Sequence, residues 1–145
     1  MRAARTLAAA LLATALAGGA GASPEQDYIL YCMGCHGDQA QGVAGKVPPL
    51  AGSIALFMRS ADGRNYVLRV PGAANSALSD AQLAAVLNWL AERFPPAAGA
   101  APPGAPFTAA EVTELRRTPL ADVGERRREV VRALAAIGPA PPADY

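Results

Sequence analysis

Cys32-Met33-Gly34-Cys35-His36 contains both cysteines and the single histidine of this 145-residue chain. Two thiols three positions apart share one face of a helical turn. Both can add to the vinyl groups along one side of a porphyrin, and the next residue carries an imidazole under the iron. The spacing therefore reads as covalent attachment of one haem c at Cys32 and Cys35, with His36 as the proximal iron ligand. Three other readings compete. A thioredoxin-type redox pair wants a βαβ setting, and the flanking sequence is helical. A structural zinc site needs four ligands, and the chain has only these three Cys and His residues. A disulfide across so short a loop stabilises little and leaves His36 unexplained.

Outward from this stretch every signal is helical. Ser23-Pro24-Glu25-Gln26 predicts a capped start, with Pro at the first helical position, for a helix running through Tyr28 and Ile29 into Cys32. Ser53 is placed to cap a short helix carrying Ile54, Leu56, Phe57 and Met58. Asp62 is placed to cap another that carries Tyr66, Val67 and Val70 and stops at Pro71-Gly72. The clearest helix starts at Ser79, with Gln82 completing a capping box. Its Leu83, Val86, Leu87, Leu90 and Phe94 fall at i, i+3, i+4, i+7 and i+11 as one apolar stripe. Residues 37–52 and 71–78 read as Gly- and Pro-marked loops, and no stretch has the strand period. The fold class is all-α.

The organisation follows from two shifts in composition. Arg2 and Arg5, the apolar run Leu7–Ala17 and the small residues Ala20-Gly21-Ala22 predict a secretory signal peptide over 1–22. The run is shorter than the ~20 residues of a membrane span. The export signal predicts a periplasmic or secreted protein with no membrane span after cleavage. Residues 95–106, PPAAGAAPPGAP, have no apolar period and many fixed-φ prolines, and so read as a semi-extended linker. A compact unit, 23–94, precedes it. A helical appendage, 107–138, and a tail, 139–145, follow. In the appendage Thr108-Ala109-Ala110-Glu111 predicts a capping box for a helix through Arg117. Pro119 fits the first position of a second helix, with Val123, Arg127, Val130, Val131, Leu134 and Ile137 on one side. Such a hairpin is expected to dock on its own compact unit, with a docking element for a partner dehydrogenase or oxidase and a disordered tail as the alternatives. Loss of Arg2 and Arg5 takes the formal charge from +1 to −1. No basic field for nucleic acid remains.

The residues CMGCHG at 32–37, the Gly-rich stretch Gly42–Gly45, VPPLAG at 47–52 and LSDAQLAAVLNWL at 78–90 resemble the class I (monohaem) c-type cytochrome domain family. The resemblance covers about 24–94. It implies that the first and last helices cross beside one haem and that the Pro48 carbonyl accepts a hydrogen bond from the His36 imidazole. It also implies a one-electron carrier or the cytochrome subunit of a dehydrogenase complex, with redox-protein partners, a dehydrogenase donor and a haem-protein or oxidase acceptor, rather than an enzyme. One element departs from the pattern. The family's distal methionine belongs in the loop before the last helix, which here is Gly72–Ala77 and has none. Met58 is the one sulfur left as a possible distal ligand, with core packing as its default role. Lys46 and Asn75 are unusual alternatives. An open sixth position would instead suit a haem protein that binds a small ligand, as a sensor or with a minor peroxidase-type activity. Arg59, Arg64 and Arg69 are candidates to pair with a haem propionate. Tyr28, Tyr31, Phe57, Tyr66, Trp89 and Phe94 are candidates for the haem wall or the helix-crossing core.

Overall fold

The computed structural model describes residues 21–97 and 102–145; the signal segment lies, apart from Gly21 and Ala22, outside the described residues. Eight helices are present among them: α1 Pro24–Tyr31, α2 Met33–His36, α3 Ile54–Phe57, α4 Ala61–Arg69, α5 Pro71–Ala74, α6 Asp80–Arg93, α7 Ala109–Leu115 and α8 Val123–Ala135. The only β pairing among the described residues is a single bridge, Val43 to Val47. No described helix is long and apolar enough to cross a membrane.

Helices α1 and α6 begin on reciprocal capping boxes, Ser23 with Gln26 and Ser79 with Gln82, as their spacing predicts. The two helices cross where Tyr28 meets Trp89, with ring centroids 5.5 Å apart. The crossing is also polar. Asp27 is 2% exposed, and its carboxylate accepts from Gln82 Nε2 at 3.3 and 3.1 Å. One Gln side chain thus caps its own helix and ties it to the first, which satisfies a buried acid that would otherwise cost stability.

Some local expectations shift. Helix α4 is capped by Ser60, whose hydroxyl accepts from the Gly63 amide, and Asp62 sits inside its first turn. Ser53 precedes α3 without a side-chain cap, because its backbone is already helical. Residues 71–74, read as loop, form the one-turn helix α5. Helix α8 is capped by Asp122, not opened by Pro119. Thr108 does cap α7, but Glu111 does not reach back to complete the box; its carboxylate is taken by Arg64 instead.

The appendage packs on the preceding unit, α7 against α6 and α8 against α4. Phe107, 3% exposed, anchors the entry. Asn88 accepts from its amide at 2.8 Å and donates to its carbonyl at 3.0 Å, and the Arg64 guanidinium lies 4.3 Å over its ring. Val112, Val130 and Leu134 are fully buried in the same core as Leu68, Leu78 and Leu90. The three arginines suggested for a propionate are spent here. Arg64 forms a half-buried fork on Glu111, a strong geometry. Arg59 donates to the carbonyls of Ile137 and Pro139, and Arg69 donates to that of Thr118.

Candidate functional site

A cavity of about 310 Å3 opens between α2, α4, α6 and the appendage, lined mainly by apolar side chains. That is within the size range of small-molecule and cofactor sites. One wall carries Cys32, Cys35 and His36, brought together because the chain turns at Cys32 from α1 into α2. The rest of the lining includes Phe57, Tyr66, Val67 and Val70, with Leu83, Val86, Leu87 and Leu90 of α6. The apolar stripe read from α6 is therefore shared between the core and this cavity.

The imidazole of His36 is held by geometry. Its Nδ1 lies 3.0 Å from the Pro48 carbonyl oxygen. A carbonyl has no proton to give, so Nδ1 carries the hydrogen and Nε2 keeps its lone pair. Burial lowers the pKa of His36, an effect partly offset by the Pro48 carbonyl. Burial favours the neutral imidazole, the form that binds a metal, and the Pro48 carbonyl orients it.

The loop that delivers Pro48 is closed by short-range bonds. The Gly42 amide donates to the His36 carbonyl at 2.8 Å. Val43 and Val47 exchange two bonds of 2.8 Å each. Gly42 has φ +69°, and a Cβ there would run into the carbonyl of Val47 and the backbone of Pro48. A Gly42→Ala chain is therefore expected to lose about 1–3 kcal/mol, a fall of several degrees in Tm by circular dichroism. An unchanged Tm would mean that the loop does not hold His36 in this way.

Cys32 is half-buried and Cys35 exposed, and neither is in a disulfide. Burial, with smaller contributions from Asp27 and Cys35, pushes the Cys32 thiol up to about 11. A reactive redox pair needs the opposite, a thiol lowered toward neutrality. Nor do three His, Cys, Asp or Glu side chains converge, among the described residues, on a point able to hold a bare metal ion.

The other candidates divide clearly. Tyr31, Phe57 and Tyr66 line the cavity, whereas Tyr28, Trp89 and Phe94 make the aromatic chain at the helix crossing. Met58 is 4% exposed and lies within the core, and it is not among the cavity-lining residues. Its carbonyl is so close to Gly104 that a Cβ there would strike it. Packing of the returning linker has thus claimed that corner. Lys46 lines the cavity rim from an exposed position, and Asn75 does not line it.

The sequence reading assigned no site role to three residues of the cavity wall: Val123, Arg127 and Tyr145, all from the appendage and tail. One signal pointed there. Arg127 falls on the apolar stripe of α8, where a charge is out of place.

No protein-family model matches the chain. A Cytochrome c-552 of Thermus thermophilus is 33% identical to it, over 81% of this chain and 95% of its own length. A second Cytochrome c-552 of Thermus thermophilus is 34% identical, over 67% of this chain and 89% of its own length.

Proposed function

Since the chain belongs to the monohaem c-type cytochromes, electron carriers with one covalently bound haem c, we propose that Cys32 and Cys35 hold that haem by two thioether bonds and that His36 is its proximal ligand. The observation that carries the assignment is the His36–Pro48 contact. It aims the free Nε2 of a neutral imidazole while both thiols stand on the same wall of an apolar cavity. Bound haem supplies a one-electron couple at its iron. The residues of the chain do the rest. The cysteines fix the edge, Pro48 fixes the tautomer of His36, and the apolar walls exclude water from the couple. The shielded cavity suits outer-sphere transfer.

The carrier would work in the periplasm, taking an electron from a dehydrogenase and passing it to another haem protein or an oxidase. The export signal at 1–22 supports the location. A redox titration of the mature holoprotein tests the function: a single reversible wave with n = 1 is expected, and an irreversible or absent wave would overturn it.

A second reading rests on a separate observation. No methionine lines the cavity among the described residues, and its lining includes Tyr66, Arg127 and Tyr145. With no thioether on the lining, bound haem would be left able to take a small ligand. Carbon monoxide is therefore expected to shift the absorption bands of the reduced protein. An unshifted spectrum would show a strong sixth ligand from the chain and would leave electron carriage as the sole function.

A further inference from the structure

Arg127 is 2% exposed and lines the cavity, yet among the described residues no carboxylate lies within ion-pair distance of it, although five other ion pairs form. Its hydrogen bonds go to carbonyls of the tail: Nε to Pro142 and Ala143 at 3.2 and 3.1 Å, and one Nη to Pro142 at 3.0 Å. Two rings flank its guanidinium, Phe57 with its centroid at 5.4 Å and Tyr145 at 5.1 Å. The Tyr66 hydroxyl is its neighbour as well: burial raises the pKa of that hydroxyl, and Arg127 works against the rise. Carbonyls and rings orient a guanidinium but do not neutralise it. A buried charge without a counter-charge is among the costlier features a fold can carry. A cavity-facing cation of this kind points to an anion that arrives with the ligand.

We propose that Arg127 is the buried counter-cation for a carboxylate of the prosthetic group, a haem propionate, and that the appendage places it there. The proposal rests on the haem assignment above. It reassigns a role that the sequence offered to Arg59, Arg64 and Arg69, all of which bind the appendage itself. A guanidinium presents two parallel donors and matches a carboxylate edge to edge. The other cation on the cavity that carries a permanent charge, Lys46, is exposed and hydrated, so screening makes it a weak partner. The remaining titratable side chains on the wall are Tyr31, Tyr66, Tyr145, His36 and the two cysteines, and none of them is a carboxylic acid.

The test uses the mature holoprotein in three forms: wild type, Arg127→Gln and Arg127→Lys. Spectroelectrochemistry gives the midpoint potential, and resonance Raman spectroscopy gives the propionate bending band. Loss of one buried positive charge favours the oxidised form. Arg127→Gln is expected to shift the reduction equilibrium by about tenfold toward it, about 59 mV for one electron, and to move the propionate band. Arg127→Lys keeps the charge and loses the fork, so the potential returns toward wild type while the band stays displaced. If Arg127→Gln does not fold, Arg127→Lys alone still reports through that band. An unchanged band in both Arg127 variants overturns the proposal. So does a band unchanged while azide affinity of the oxidised protein falls about tenfold or more, since Arg127 would then serve an external anion. Mature protein without covalent haem would overturn the underlying haem assignment, an outcome distinct from either.

Discussion

Cys32→Ala and Cys35→Ala together are expected to abolish covalent chromophore entirely, so that denaturing electrophoresis shows the full-length chain with no haem stain. The effect is all-or-none, because these are the only two cysteines in the sequence and a thioether bond has no substitute. Each single variant should retain one bond and a stained, less stable product. The distinction from a redox dithiol is sharp. A redox dithiol carries no thioether-bound haem, so on that reading the wild type itself would show no stain. Stain persisting in the double variant would overturn the site.

The largest stability loss is expected from Phe107→Ala. The side chain is 3% exposed, its ring lies beneath the Arg64 guanidinium, and both its backbone polar groups are held by Asn88. Emptying such a site costs about 3–5 kcal/mol for an aromatic residue, with about 0.5–2 kcal/mol from the cation–π contact inside that figure. Against a typical total of ~5–15 kcal/mol this is a large fraction. Urea unfolding should show a lower midpoint with one cooperative transition, because α7 and α8 share a core with α4 and α6. A loss below about 1 kcal/mol, or two separate transitions, would show that the appendage is an independent attachment to the haem-binding unit. The variant also bears on the cavity, since Val123, Arg127 and Tyr145 reach it only through the docked appendage.

The recognition of aromatic candidates shows where one-dimensional reading stops. Tyr31 and Phe57 face the cavity, while Tyr28 and Trp89 face each other at the helix crossing. Tyr28 and Tyr31 lie three positions apart on α1, and neither carries a local mark of its role. Which face meets porphyrin and which meets protein depends on the crossing of α1 and α6, a relation between residues more than 50 positions apart.

By itself, the sequence determined the attachment turn and the two capping-box helices, which depend on spacing within about one helical turn, but not the caps of α4 and α8. Cys32, Cys35 and His36 must share a turn. Ser23 with Gln26 and Ser79 with Gln82 must start helices, and the stripe from Leu83 to Phe94 must face an apolar interior. These are consequences of the i, i+3 and i+4 geometry of the helix and need no fold to express them. The tertiary structure decided every pairing across long separations. Arg64 meets Glu111 across 47 positions and Arg59 meets Pro139 across 80; Met58 goes to the core and Arg127 to the cavity. A side chain on the α4 or α8 surface carries no local mark of its distant partner. Long-range packing assigns the arginines their partners and leaves Arg127, which the apolar stripe of α8 already set apart, on the cavity with no ion-pair partner among the described residues.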